Sequence, residues 1–214
     1  MELLRRKVNP VVTGMIAMAI SIVWGCHSSS GLVNMWRDKS FEAPPMNNIL
    51  VIAVRRDVIN RRLWEDSFAG ELQKRGLAAT PSYSLFPEAV PDTQQVIDVI
   101  QNKRFDGVLV TVRPTIDTNI NYTPGYVSSD PVMRYNSWTN RYNTYYYEIY
   151  HPGEAIPEKV VRHEINLWST GDHGKIIWAA TTETIDPNSV KDVSREVSEV
   201  IVPELEHQAL IRPK

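Results

Sequence analysis

The 214-residue sequence contains a single cysteine, Cys26, and has no excess of either charge. One cysteine excludes an internal disulfide framework and any zinc site built on cysteine pairs. The net charge of −2 lacks the basic excess that is typical of nucleic-acid-binding domains, so we expect no nucleic-acid partner. The composition, 43% hydrophobic and 22% charged, is that of an ordinary globular domain.

The sequence also lacks the short motifs that accompany common enzymes. There is no G-x-S-x-G elbow for a serine nucleophile, and residues 171–175 (GDHGK) lack the spacing of a phosphate-binding loop. No two of the five histidines have the spacing of metal ligands on one strand or helix. We therefore expect a non-enzymatic protein with no metal site and no cofactor.

The N-terminus has the pattern of a secretory signal. Arg5, Arg6 and Lys7 precede an apolar run over residues 11–24. That run is shorter than the roughly 20 residues that a membrane-spanning helix needs, and it has the length of a signal-peptide core. We predict a signal peptide over residues 1–25.

Residues 23–26 (VWGC) resemble the lipobox of bacterial lipoproteins. The resemblance implies that Cys26 is acylated, becomes the first mature residue and attaches the protein to a membrane through its acyl chains. His27 stands where an aspartate would imply retention at the inner membrane, so the resemblance implies the periplasmic face of the outer membrane. Residues 26–31 would then be a short tether. The alternative is an uncleaved signal anchor with an inert cysteine.

The first half of the mature chain alternates between strand and helix patterns. Residues 49–54 form a continuous apolar run, which indicates a strand buried on both faces. The predicted elements that follow are a helix capped by Asn60 with Trp64, Phe68 and Leu72 inward, a strand over 77–82, a helix opened by Asp92 and Gln95, and a strand over 107–112. This β-α-β-α-β order favours parallel strands.

The second half predicts an antiparallel hairpin and a final helix. Residues 158–169 alternate, with Val161, His163, Ile165 and Leu167 on one face, and residues 176–182 form the return strand. A helix then starts near residues 186–188, and Pro203 is expected to kink or restart it. The fold class is therefore α/β, with residues 32–214 forming a single domain in which a mixed sheet packs against helices.

A tyrosine-rich insertion over residues 115–157 separates the two halves. It contains eight of the nine tyrosines, and a strand over 142–150 with tyrosine on both faces is expected to pair with residues 132–138. Tyrosine suits protein contacts and can also stack on sugars, so the insertion is the first candidate for binding a protein partner or a glycan. The alternative is a hairpin whose tyrosines pack on one another and on the domain. The candidate residues are Tyr122, Tyr126, Trp138, Tyr142, Tyr145, Tyr146, Tyr147 and Tyr150.

Four arginines form a second, weaker candidate site. Arg55, Arg56, Arg61 and Arg62 follow the first buried strand, where α/β sheets commonly bind ligands and where a helix N-terminus favours anions. The alternative is a solvated face in which nearby carboxylates form salt bridges with these arginines.

Several short segments together resemble a group of uncharacterised lipoproteins of Gram-negative bacteria. They are residues 35–38 (MWRD), 61–66 (RRLWED), 81–83 (PSY), 122–126 (YTPGY), 167–168 (LW) and 177–179 (IWA). The layout is also similar, at the level of the fold, to the amino-terminal domain of TolB and to the curli-secretion lipoprotein. The resemblance implies a location in the cell envelope but supplies no catalytic residue.

The sequence therefore predicts an adaptor or subunit in envelope assembly or maintenance that binds a protein through the insertion. The alternative is a module that binds an envelope glycan or a lipid headgroup with the same tyrosines.

Overall fold

A computed structural model describes residues 30–171 and 174–212. The predicted signal peptide and the acylation site Cys26 lie outside the described residues. Within them, no helix has the length and apolar character needed to cross a membrane. The elements are β1 (Ser30–Arg37), β2 (Asn48–Ala53), α1 (Val58–Lys74), β3 (Ala78–Pro81), a 3-10 turn (Ser82–Ser84), α2 (Thr93–Lys103), β4 (Gly107–Thr111), β5 (Thr115–Thr123), β6 (Tyr126–Asn136), β7 (Arg141–His151), β8 (Glu154–Ser169), β9 (Ile176–Ile185) and α3 (Val190–His207).

Seven strands form one mixed sheet, which confirms the predicted α/β class. The strand order is β1-β9-β8-β4-β2-β3, and β5 also pairs with β8. Strand β2 runs parallel to β3 and β4, as the β-α-β-α-β pattern predicts. Strands β1, β4, β5, β8 and β9 pair antiparallel with one another. The remaining two strands, β6 and β7, form a sheet of their own.

The main core lies between the sheet and helices α1 and α3. Trp64, Phe68 and Leu72 of α1 are buried there, as their four-residue spacing predicts. A smaller cluster lies on the opposite face of the sheet, where α2 covers β2 and β4. Strand β2 contributes to both cores, with Val51 on one face and Leu50 on the other, and this explains its uninterrupted apolar sequence.

One of the three predicted helix starts is confirmed. Asp92 and Gln95 form the predicted capping box of α2. The prediction for α1 was wrong, since Asp57 is the N-cap and its carboxylate accepts a hydrogen bond from the Asn60 backbone N–H at 2.8 Å. Helix α3 begins later than expected because Asp186, which directly follows β9, donates its backbone N–H to the Lys159 carbonyl. Ser189 caps α3 instead.

Pro203 lies inside α3, which continues through it to His207, so the predicted restart of the helix was wrong. A proline removes one backbone hydrogen bond from a helix interior, at a cost of about 3 kcal/mol. The neighbouring side chains of Ile201, Val202 and Leu205 are fully buried. Because packing of an apolar face provides most of the stability of a protein helix, this burial maintains α3 across the proline.

A buried ion pair joins α1 to the segment after β3. Arg61 and Glu65 are 3% and 0% exposed, and Arg61 Nε donates to Glu65 Oε1 at 2.9 Å. The other guanidinium nitrogens of Arg61 donate to Ser82 Oγ and to the carbonyls of Phe86 and Ala89, at 2.7–2.9 Å. The pair therefore holds the loop that leads from the 3-10 turn toward α2.

The Glu65 carboxylate is equally well satisfied. It accepts hydrogen bonds from Ser82 Oγ at 2.7 Å, the Tyr83 backbone N–H at 2.7 Å and the Ala53 backbone N–H at 3.1 Å. Buried charges persist in proteins when all their hydrogen-bonding groups are paired, as they are here.

We predict that Arg61→Met lowers the free energy of unfolding by about 3–5 kcal/mol, because it leaves the Glu65 carboxylate buried without its counter-ion. Arg62→Met is the matched control, since Arg62 is exposed and its guanidinium only lies over the Tyr83 ring at 5.4 Å. We expect a loss of about 1 kcal/mol or less for that variant. Urea denaturation measures both, and equal losses would contradict the structural role of the Arg61–Glu65 pair.

Candidate functional site

Strand β8 pairs with two different strands along its length. Its C-terminal half, from Ile165 to Ser169, pairs with β4 inside the domain. Its N-terminal half, from Glu154 to Arg162, pairs with β5. The tyrosine-rich insertion is therefore a continuation of the central sheet, since β5 and β8 extend from the core toward β6 and β7.

A short joint, formed by residues 124–125 and 152–153, separates the β5–β8 pair from the β6–β7 pair. The two pairs have the same register on either side of this joint. Thr123 lies opposite Glu154, and Tyr126 lies opposite His151, so each strand has two residues at the joint. Both joint segments are Pro-Gly, at residues 124–125 and 152–153. A Cβ on Gly125 would lie 2.7 Å from the His151 carbonyl oxygen, so only glycine permits this close approach of the two backbones.

Strands β6 and β7 form a ribbon that we call the arm, defined as residues 126–151. All eleven residues of β6 pair with β7. The predicted pairing of residues 132–138 with 142–150 is confirmed for residues 132–136, whereas Ser137 and Trp138 lie in the turn. Eleven residues at about 3.4 Å each give the arm a length of about 37 Å. No residue from 112 to 159 is buried, so the tyrosines do not pack into the domain.

The register places apolar side chains on both faces of the arm. The first face has Tyr126, Val132, Tyr145, Tyr147 and Ile149, which are 40–62% exposed. The second face has Val127, Met133, Tyr135, Tyr142, Tyr146 and Tyr150, which are 53–71% exposed. Trp138 is 97% exposed in the turn at the tip, and Tyr122 is exposed on β5.

The two faces differ in charge and in internal contacts. On the first face, Tyr126 stacks on His151 with ring centroids 4.5 Å apart, and the Arg134 guanidinium lies 5.8 Å from the Tyr147 ring. On the second face, Tyr135 and Tyr142 contact each other at 5.3 Å, and Glu148 is the only charged residue. The second face is therefore the more apolar of the two, and its side chains make fewer contacts with one another.

The four candidate arginines lie in different environments. Arg61 is committed to the buried ion pair with Glu65, and Arg62 lies over Tyr83. Arg56 is exposed, whereas Arg55 lines a cavity beyond the C-terminal ends of β2 and β4. The four guanidinium groups thus do not form a single cluster, and Arg55 alone reaches a concave site.

The cavity at Arg55 has a volume of about 310 Å³ and lies at the root of the arm. Strands β5 and β8 contribute one wall, and the starts of α1 and α3 contribute the other. Its residues are Arg55, Asn60, Trp64, Pro114, Ile116, Lys159, Val161, His163, Pro187, Asn188, Ser189, Val190 and Val193.

Arg55 is held rigidly but is not fully paired. Its Nη1 donates to the carbonyls of Val54, Thr111 and Val112 at 2.8–3.2 Å, and its Cζ lies 4.5 Å from the centre of the Trp64 ring. Its Nη2 is buried without a hydrogen-bond partner in the protein. Burial and the nearby Arg113 lower the pKa of Arg55 to about 10, so it remains a cation at neutral pH.

For His163, the sequence predicts the direction of the side chain but not its surroundings. The alternation of β8 predicts that it faces inward, and it is 3% exposed, with its ring 4.4 Å from that of Trp64. Neither ring nitrogen has a hydrogen-bond partner in the protein. Burial, assisted by the charge of Arg55, lowers the pKa of His163 to about 3, so the imidazole is neutral at physiological pH.

A search of residues 30–171 and 174–212 finds no group of three histidine, cysteine, aspartate or glutamate side chains that could hold a metal ion. His173, which the sequence places in a turn with Asp172, lies outside the described residues.

No protein-family model matches the sequence, and no curated protein matches it. Among solved structures, the chain is similar to the PelC dodecamer of Paraburkholderia phytofirmans, with 12% identity and a TM-score of 0.44 over 86% of this chain and 99% of that one. A single-substitution variant of the same PelC gives a TM-score of 0.43 at 12% identity, over 87% and 99%. A PDZ domain protein from Parabacteroides distasonis gives 0.39 at 15% identity, over 88% of this chain but only 39% of that one. Likeness at this level does not extend to a shared activity.

We predict that His163 makes the protein less stable in acid. Its pKa is about 6.5 when unfolded and about 3 when folded, so below pH 6.5 the unfolded chain binds a proton that the folded one does not. At 1.36 kcal/mol per pH unit, this costs about 2–3 kcal/mol of unfolding free energy between pH 7 and pH 4.5.

Urea denaturation at each pH measures this contribution as the difference between the unaltered protein and His163→Phe, which cannot bind the proton. His207→Gln is the control, because that ring is 80% exposed. Parallel pH profiles for the unaltered protein and His163→Phe would contradict the prediction.

Proposed function

We propose that the protein is a non-enzymatic lipoprotein of the cell envelope that binds a protein partner through the second face of the arm. The observation that supports this most directly is a ribbon about 37 Å long whose aromatic and aliphatic side chains are exposed along its whole length. Soluble proteins seldom expose a continuous apolar surface of this kind unless something binds it.

The composition of the second face favours a protein over a sugar or a lipid headgroup. The buried centres of protein–protein interfaces are enriched in tyrosine and methionine and depleted of charge. The second face has four tyrosines, Met133 and Val127, with Glu148 as its single charged residue. Over the whole arm, Arg134 and Arg141 balance Asp130 and Glu148, so electrostatic attraction to an anionic surface contributes little.

The architecture of the arm supports the same proposal. A two-stranded ribbon in water is only marginally stable by itself. Each strand of the arm pairs with the other along one edge, and no strand of the described part of the chain lies along its second edge. A partner that covers the second face, or that adds a strand at an edge, would remove both the exposed apolar area and the unpaired backbone groups.

The predicted lipid anchor belongs to the same proposal. Ser30 and Gly31, predicted as part of the tether, already lie in β1, which leaves residues 27–29 between Cys26 and the first strand. An acylated Cys26 would hold the domain close to the membrane surface. The arm would then act as a fixed extension from a membrane-attached domain, as an adaptor in envelope assembly requires.

The proposal gives His163 no catalytic role. Neither of its ring nitrogens has a hydrogen bond to a described serine, cysteine or carboxylate, which a nucleophilic mechanism would use.

The test places a photo-crosslinking amino acid at Tyr146 in the full-length lipoprotein and irradiates intact cells. We expect one discrete heavier product that mass spectrometry identifies as a different envelope protein. The same amino acid at Tyr147 is the matched control, because the neighbouring residue points to the first face. Position Asn102, exposed on α2, controls for random collisions.

We expect the yield at Tyr147 to be several-fold lower than at Tyr146 and the yield at Asn102 to be at background. A glycan ladder or a lipid adduct at Tyr146 would contradict the proposal and favour the glycan or headgroup alternative. A product containing two copies of this chain would replace the adaptor by a homo-oligomer. Equal yields at all three positions would show that the arm is not the binding site.

A further inference from the structure

The cavity at the root of the arm has the chemistry of a small-molecule site. Its volume of about 310 Å³ is at the lower end of the range for ligand pockets, which suits a small molecule and not a polymer. None of the thirteen described residues that line it is an aspartate or a glutamate, whereas Arg55 and Lys159 are both cations. The charge inside the cavity is thus positive although the chain as a whole has a net charge of −2.

Three aspartates that are close in sequence to the lining residues do not themselves line the cavity, and each accepts a hydrogen bond. Asp57 accepts the hydrogen bond that caps α1, and Asp186 accepts one from the Lys159 backbone N–H at 2.8 Å. Asp192 accepts a hydrogen bond from the Ser189 hydroxyl at 2.6 Å. No ion pair of Arg55 or Lys159 occurs within residues 30–171 and 174–212.

Two of the residues that line the cavity have buried polar atoms without a partner. Nη2 of Arg55 and both ring nitrogens of His163 are buried and have no partner in the protein. An unpaired buried donor is costly, and nearly all such groups in folded proteins have a partner. The contrast with Arg61 is direct, because every guanidinium nitrogen of Arg61 has a hydrogen-bond partner.

Most of the remaining lining is apolar, and its other polar residues are Asn60, Asn188 and Ser189. Trp64 contacts both Arg55 and His163, and Ile116, Val161 and Val193 complete the apolar wall. The start of α3 also opens on the cavity, and the partial positive charge of a helix N-terminus adds to that of the two cations.

We propose that this cavity binds a small amphipathic anion, with its carboxylate or phosphate group beside Arg55 and Lys159 and its apolar part against Trp64 and Ile116. The two cations select an anion, and the apolar wall selects a hydrocarbon or aromatic body. The site is independent of the partner-binding face of the arm, since it shares with the arm only the β5–β8 root.

The test measures the binding of four six-carbon probes to the full-length lipoprotein in lipid nanodiscs, by the rise in melting temperature with probe concentration. The probes are hexanoate, hexyl phosphate, hexanol and hexylammonium. We expect hexanoate, hexyl phosphate or both to stabilise the protein, at least tenfold more tightly than hexanol, and hexylammonium to have no effect. Whichever anion binds more tightly identifies the head group. A response to hexylammonium equal to that of the anions, or no response to either anion, would overturn the proposal.

Two matched pairs of variants place the binding at this cavity. Arg55→Gln should weaken anion binding at least tenfold, whereas Arg56→Gln, at the exposed neighbouring residue, should leave it unchanged. Ile116→Asp places a carboxylate at the cavity without disturbing the core, because Ile116 is 58% exposed, and it should also weaken binding at least tenfold.

Ile120→Asp makes the same substitution two steps farther along that face of β5, opposite Pro157 and outside the lining of the cavity, and should have no effect. Should Arg55→Gln fail to fold, the Ile116 and Ile120 pair decides the question. Equal effects within this pair would place the binding elsewhere.

Discussion

The register of β8 is the constraint on which both the domain and the arm depend. Ile165 and Leu167 belong to the core that packs on α1 and α3, and Val161 and His163 are buried on the same face of β8. Arg162, Glu164 and Asn166 alternate with them on the opposite face. A shift by one residue would place Arg162 and Glu164 in the core, so packing fixes this register firmly. Because the pairing continues without offset across the Pro-Gly joint, the same packing decides which arm residues share a face. Tyr146 and Tyr147 point to opposite faces because successive side chains of a strand alternate.

The structure uses neighbouring arginines in two different ways. Arg61 has an acidic partner, and every one of its donors is paired, which makes it part of the framework that holds the loop toward α2. Arg55 has the Trp64 ring and three carbonyls but no counter-ion in the described part of the chain, and one nitrogen lacks a partner. A fully paired buried charge stabilises a fold, whereas an incompletely paired one at a cavity is a feature of binding sites.

The elements that depend on short-range sequence patterns were predicted best. The apolar run of β2, the capping box at Asp92 and the tyrosine hairpin all follow from periodicity or short-range hydrogen bonds, and all three are present. The sequence could not separate Arg55 from Arg61, because the difference depends on Glu65, Ser82 and distant carbonyls that meet only in the folded chain. The same holds for His163, whose inward direction follows from alternation but whose unpaired nitrogens depend on the packing of Trp64. The continuity of α3 through Pro203 likewise depends on tertiary burial.

We expect the domain to fold without the arm, and we propose that the arm binds a partner, so deletion of the arm tests both statements most directly. Deletion of residues 126–151 joins Gly125 to Pro152. It leaves a four-residue turn between Thr123 and Glu154, which already pair with each other. No residue of the deleted segment is buried, so we expect the melting temperature to change by no more than about 4 °C, the equivalent of about 1 kcal/mol for a domain of this size. Native electrophoresis of envelope extracts should at the same time show the loss of any complex that contains the protein. An unfolded deletion variant, or one that remains in the complex, would contradict the account.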